Sequence, residues 1–192
     1  MAEFITTHPL DAFLKGAHTV ADSGVSVEVL KNQGIVQVFA KNGGAKAVET
    51  ALGIKTKPGK ASKVDDFIAL PLAQGQWLLV SKDVDENGFT QDIIDKLGSG
   101  GYVSEQSDSR VIFRISGPKA VELMQKGCRL DLHPSVTGAN WCAQTQMAQI
   151  GILIHQVDRN PTYDLYVYSG FAQDFAEWLQ HTGAQLGISF SR

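Results

Sequence analysis

The tetrapeptide Lys-Ala-Val-Glu occurs twice, as Lys46-Ala47-Val48-Glu49 and Lys119-Ala120-Val121-Glu122. Four residues alone carry little weight, but the punctuation around them also matches. Ile35-Val36-Gln37-Val38-Phe39-Ala40 alternates and is rich in β-formers, so it predicts a strand. Asn42-Gly43-Gly44 follows as a turn, and Ala45–Leu52 reads as a short helix stopped by Gly53. The second copy starts from the alternating strand Arg110–Ile115. Ser116 is the expected N-cap, Pro118 falls in the first helical turn, and Lys119–Lys126 is a helix ended by Gly127. A shared order of strand, glycine turn, helix and glycine stop points to an internal duplication.

The segments downstream correspond as well. After the first copy come the strands Phe67–Leu72 and Gln76–Ser81, a helix marked by Phe89, Ile93, Ile94 and Leu97, and a short strand Tyr102–Glu105. After the second come strands Ala148–His155 and Tyr163–Val167, then a helix whose apolar face holds Phe171, Phe175, Trp178 and Leu179. Each half reads close to β-α-β-β-α-β, the ferredoxin-like order. The expected fold is therefore α+β, with two ferredoxin-like βαββαβ halves, about 21–106 and 107–192, packed into one body. The strand Val25–Val29 is expected to extend the first half, and residues 1–20 to form an arm with one short helix around Leu10–Leu14.

Composition removes several function classes. The chain has 192 residues and a formal charge of −3, so overall charge does not drive nucleic-acid binding. It contains no run of about 18 apolar residues for a transmembrane helix. Met1-Ala2-Glu3-Phe4 shows no export signal, so a cytoplasmic setting is expected. Two cysteines, Cys128 and Cys142, make no disulfide framework, and the five histidines lack metal-site spacing. Lys55, Lys57, Lys60 and Lys63 lie in a Pro- and Gly-diluted stretch that reads as an exposed mobile loop.

Each candidate motif falls short of a site. Asp83-Val84-Asp85-Glu86-Asn87-Gly88 opens like a calcium loop, but its twelfth position is Ile94 rather than Glu. It reads better as an acidic turn before a helix starting near Phe89. Gly98-Ser99-Gly100-Gly101 lies after a helix, whereas phosphate loops sit at helix N-termini, so it reads as a connection. No G-x-S-x-G elbow occurs, and nothing local pairs Cys142 with a base. Asp131 and His133 are spaced to form an acid–base pair, yet no nucleophile stands nearby in sequence. Phe171, Phe175 and Trp178 have the spacing of a core-facing helix stripe.

The second half resembles a known family. Arg110-Val-Ile-Phe-Arg-Ile-Ser-Gly-Pro-Lys-Ala120, Gly127-Cys128-Arg129-Leu130-Asp131-Leu132-His133-Pro134, Ala143-Gln144-Thr145, Tyr163–Val167 and Phe171–Leu179 together are similar to the gamma subunits of heterotetrameric sarcosine oxidases. The resemblance implies the folate-binding fold of aminomethyltransferases and a gamma subunit without chemistry of its own. It implies a complex that oxidatively demethylates sarcosine to glycine and hydrogen peroxide. With tetrahydrofolate, that complex yields 5,10-methylenetetrahydrofolate. NAD and folate are then expected on the alpha subunit, FAD and covalent FMN on beta, zinc on delta, and no cofactor on this chain. The expected partners are alpha, beta and delta, chiefly alpha. Anchors at interfaces are usually aromatic or Arg, which singles out Arg129, His133 and Trp141 in the stretch Cys128–Trp141 as partner contacts. Two further readings are a stand-alone folate-binding one-carbon protein and the gamma-type subunit of a related N-methyl amine dehydrogenase.

Overall fold

The computed structural model describes residues 8–16, 23–31, 33–55, 57–81 and 86–191. Its elements, in chain order, are α1 (Asp11–Gly16), β1 (Val25–Leu30), β2 (Gly34–Ala40), α2 (Ala45–Leu52), β3 (Ser62–Lys63), β4 (Phe67–Ala73), β5 (Gln76–Ser81), α3 (Glu86–Leu97), β6 (Gly101–Glu105), β7 (Arg110–Ser116), α4 (Ala120–Gln125), β8 (Cys142–Met147), β9 (Ile150–Gln156), β10 (Tyr163–Tyr168), α5 (Ala172–Gly183) and β11 (Ile188–Ser191). The strands form two sheets, ordered β3-β4-β5-β2-β6 and β11-β1-β7-β10-β9-β8.

The duplication is visible in those orders. Within the first sheet, β4-β5-β2-β6 is the ferredoxin-like arrangement of β2-α2-β4-β5-α3-β6, with β3 added outside β4. In the second sheet β9, β10, β7 and β11 play the same parts, and β8 is added outside β9. One difference breaks the symmetry: β1 lies between β7 and β11, antiparallel to the first and parallel to the second. The expectation that Val25–Val29 extends the first half is thus corrected. Val25, Val27 and Val29 are buried in the second half's core, where they fill the space between β7 and β11. The chain then crosses to the other sheet within a few residues.

Period-2 alternation explains the layering. In β2, β4 and β5 one face holds Val36, Val38, Phe67, Ala69, Trp77 and Leu79, which pack with Val48 and Leu52 of α2 and with Phe89, Ile93 and Leu97 of α3. The second sheet does the same with α4 and α5, where the Phe113 and Phe175 rings meet edge to face at 5.3 Å. The opposite faces meet each other. Ile35, Leu70, Leu78 and Val80 pack against Ile112, Cys142, Leu153 and Tyr166. The result is four layers, helices outside and two sheets inside.

Local chemistry sets several boundaries. Gly53 stops α2 at φ 66°, and its N–H is given to the carbonyls of Glu49 and Thr50. Ser116 does not cap α4. It belongs to β7 and pairs with Ser26, while the chain turns at Gly117 (φ 107°) and Lys119 takes the cap position without a side-chain bond. Ala148 and Gln149 do not extend β9. Both have positive φ (53° and 66°) and form the two-residue turn between β8 and β9. α3 begins at Glu86, before the expected Phe89. Among the calcium-loop residues, Asp83, Val84 and Asp85 lie outside the described residues. The arm's short helix is α1, from Asp11 to Gly16.

Candidate functional site

The register of the second sheet assembles a row of polar residues that are far apart in sequence. Glu28 of β1 pairs with Arg114 of β7, Arg114 with Asp164 of β10, Asp164 with His155 of β9, and His155 with Cys142 of β8. Their neighbours along each strand, such as Phe113, Leu165 and Ile154, point to the helices. Alternation therefore turns the row towards the other sheet, the side on which Cys142 packs. Asp164 is 5% exposed and accepts two bonds from Arg114, Nε to Oδ1 and Nη2 to Oδ2, both 2.8 Å. This fork is the favoured guanidinium–carboxylate geometry, and it raises the already high pKa of Arg114.

His155 is 2% exposed, and neither ring nitrogen has a hydrogen-bond partner within the described residues. Burial disfavours its charged form and pushes its pKa down to about 4, against the opposing pull of Asp164. Burial likewise pushes the Cys142 thiol up to about 11, although Lys60 pulls the other way. The Tyr166 hydroxyl, fully buried, is held well above its ordinary value. Cysteine, histidine and aspartate thus stand in the order of a thiol catalytic group. The arrangement is not one. The carboxylate is engaged by Arg114, the imidazole bonds neither neighbour, and the thiol is neutral at physiological pH.

The stretch Cys128–Trp141 lies on the surface, anchored by buried Leu132 and Thr137. Arg129 and His133 are exposed, while Trp141 is partly buried against the second half's core. Asp131 and His133 do not form the acid–base pair their spacing suggests. The Asp131 carboxylate accepts the backbone N–H of His133 at 2.9 Å, and the ring Nδ1 of His133 meets Ser135, accepting its N–H at 3.2 Å. Both side chains shape the turn.

The lysine-rich segment comes to the same place. Lys60 bridges Trp141, the N–H of Ala61 is given to the Asn140 carbonyl, and the Cys142 N–H is given to the Gly59 carbonyl. Lys60 Nζ also reaches the Ala139 carbonyl at 3.4 Å. The loop, expected from its composition to be mobile, is instead docked across the two halves by these backbone bonds. Beside it runs an open cleft of about 670 Å³, lined by Lys57, Pro58, Leu72, Trp77, Ala143 and Gln144 among others. Gly98–Gly101 forms the helix-to-strand connection expected, with Gly98 at φ 50° and the Gly100 N–H given to Leu97. Phe175 is buried, Trp178 is half-buried and Phe171 is 51% exposed, so that stripe is core at one end only.

Sequence reasoning did not single out Arg114, Asp164 or His155. Their signal was present, since each is a polar residue at an alternate position of an otherwise apolar strand. What it could not show is that the alternate face is covered by a second sheet. Among the described residues no cluster of three or more His, Cys, Asp or Glu is placed to hold a metal ion, and no helix is long and apolar enough to cross a membrane.

Comparison with known proteins bears on this arrangement. Residues 39–185 match the "Sarcosine oxidase, gamma subunit family". Sarcosine oxidase subunit gamma of Corynebacterium sp. (strain P-1) is 27% identical over 148 residues, 75% of this chain and 71% of the relative. That of Corynebacterium sp. (strain U-96) is 28% identical over 138 residues, covering 70% and 65%. A chain of the solved heterotetrameric sarcosine oxidase from Corynebacterium sp. U-96, in complex with pyrrole 2-carboxylate, superposes with a TM-score of 0.82 at 21% identity, over 95% of this chain and 96% of that one. The glycine cleavage system aminomethyltransferase T from Bartonella henselae shares the fold at a TM-score of 0.71 and 14% identity, over 97% of this chain but 59% of that one. The fold is thus aminomethyltransferase-like, and the match over residues 39–185 shows that this chain belongs to the sarcosine oxidase gamma subunit family.

Proposed function

We propose that this chain is the non-catalytic gamma subunit of a cytoplasmic heterotetrameric sarcosine oxidase and supports its assembly, mainly against the alpha subunit. The carrying observation is the family match across residues 39–185. In this reading sarcosine is oxidatively demethylated to glycine and hydrogen peroxide on other subunits, which hold FAD, FMN, NAD and zinc. Tetrahydrofolate there takes up the one-carbon unit as 5,10-methylenetetrahydrofolate.

The geometry supports a scaffold in two ways. Asp164, His155 and Cys142 are buried between the sheets, and the Asp164 carboxylate is closed by the partly buried Arg114. Meanwhile Arg129 and His133 project from a surface stretch whose turn is held by its own hydrogen bonds, and a pre-organised loop loses less freedom on docking. Trp141 contributes by supporting that stretch from beneath.

The test is co-expression with the alpha, beta and delta subunits. The unaltered chain is expected to co-purify with them, and the Arg129→Ala/His133→Ala double variant to be recovered in lower yield with unchanged thermal stability of its own. Equal recovery rejects the placement of the contact; failure of the unaltered chain to co-purify rejects the subunit reading.

A further inference from the structure

The outer edge of β8 is an unusual feature of this fold. β8 closes one end of the six-stranded sheet. Its sequence, Cys-Ala-Gln-Thr-Gln-Met, holds no charge and no proline. Exposed strand edges are normally blunted by shortness, lysine, proline or a bulge, because their unpaired N–H and C=O groups recruit other strands. The corresponding edge of the first half follows that rule, since β3 has two residues and one is Lys63. The edge of β8 does not.

Backbone geometry identifies the groups left open. The Cys142 N–H points outward, because it is given to Gly59 rather than to β9. Along an extended strand every second residue points its backbone groups the same way. The Cys142 carbonyl, both groups of Gln144 and the Gln146 N–H therefore also face outward. Among the described residues no backbone hydrogen bond reaches them, and the Gln144 and Gln146 side chains are exposed, with Gln144 Nε2 donating to the Leu72 carbonyl at 2.7 Å. Lys60 bridges Trp141 at one end and Cys128 bridges Met147 at the other, so the gap is about three residues long and has defined limits.

The surroundings indicate what fits. The cleft of about 670 Å³ borders this edge through Cys142, Ala143 and Gln144, and its apolar wall includes Pro58, Leu72 and Trp77. Lys57 and Glu49 both line it and Lys60 stands exposed at the start of the strand, so two cations stand against one carboxylate there. We infer that β8 accepts an extended, carboxylate-bearing segment of another subunit as a seventh strand. Main-chain bonds to Gln144 and Gln146 hold it, an apolar side chain enters the cleft, and an acidic side chain reaches Lys57 or Lys60. Strand addition of this kind draws affinity from the backbone and specificity from alternate side chains. The inference rests on the reading of this chain as a subunit of an assembly.

The experiment is amide hydrogen exchange on the full chain, free and within the purified co-expressed complex. The Gln144 and Gln146 amides are expected to exchange about 10-fold or more slowly in the complex, as paired ladder amides do. Gln144→Pro deletes an outward donor while leaving the bonds to β9 intact, and is expected to lower recovery of the chain with its partners. Gln144→Ala keeps that donor, loses the side-chain bond to Leu72 as the proline variant does, and is expected to be recovered normally. Unchanged exchange in a complex that does assemble overturns strand addition and leaves the subunit reading standing. Equal recovery of the two variants also overturns it. So does protection already present in the free chain as a dimer, which would make the occupant a second copy. A chain that does not co-purify at all defeats the subunit reading itself.

Discussion

The two halves share an element order but meet each other with unlike faces. The buried side chains that the first sheet presents are Ile35, Leu70, Leu78 and Val80, all aliphatic. The second presents aliphatic and aromatic groups interrupted by the row Glu28, Arg114, Asp164, His155 and Cys142. An apolar face tolerates sliding and repacking, because dispersion and water exclusion are not directional. A forked ion pair is directional, and its members are costly when separated. The first half thus supplies adhesion between the sheets, while the second supplies a fixed polar pattern. The same asymmetry appears at the edges, where β3 is blunted and β8 is left open.

The sharpest way to break this comparison is to remove one member of the ion pair. Asp164→Ala leaves a half-buried guanidinium without its carboxylate, and is expected to cost about 3 kcal/mol in urea unfolding. The paired change Arg114→Met with Asp164→Leu is expected to cost less than either single change. If it costs as much as their sum, the pair stabilises outright and the distinction between the faces is wrong.

Acid titration comes next. His155 binds its proton at about 4 in the fold and near the ordinary 6.5 when unfolded. As pH falls through that window only the unfolded chain gains the proton, so stability is full above 6.5 and declines down to about 4. The loss amounts to about 3 kcal/mol. Replacing His155 with Gln is expected to flatten the decline between those limits, measured by denaturation at each pH. An unchanged slope assigns it to other groups.

A smaller effect is expected at Gly127. A Cβ there would stand 2.5 Å from two ring carbons of Trp178, so glycine lets that ring lie across the end of α4. Gly127→Ala should cost roughly 2 kcal/mol through overpacking, whereas the counterpart stop Gly53, with open space around it, would show only the strain of its positive φ. Thermal melts of the two variants compare the halves directly.

The smallest expected effect is a gain. Ala148 and Gln149 carry the left-handed conformations of a type I′ turn without the residues that prefer them. Ala148→Asn with Gln149→Gly should stabilise the chain by about 0.5–1 kcal/mol, read from the unfolding midpoint.

Much of the fold was legible in particular residues. The alternation in Ile35–Ala40 and Arg110–Ile115 located β2 and β7, and Gly53 located the end of α2. β8 was not foreseen, because Cys-Ala-Gln-Thr-Gln-Met lacks the apolar repeat of a half-buried strand and its pairing comes from β9. Ser116 departs from its expected role for a related reason: a serine before Gly-Pro reads as a cap unless a strand continues through it. At the candidate contact, Arg129 and His133 are exposed, while Trp141 is partly buried against the chain's own core.

Local periodicity and turn residues, which act over a few neighbours, determined the duplicated β-α-β-β-α-β order and the apolar face of each element. Tertiary structure alone decided that β1 crosses into the other half's sheet, that the lysine loop docks on Trp141, and that five polar residues from five strands form one row. Those outcomes depend on which strand edges and faces are available to each other once the halves meet, and that availability is a property of the assembled chain rather than of any segment in it.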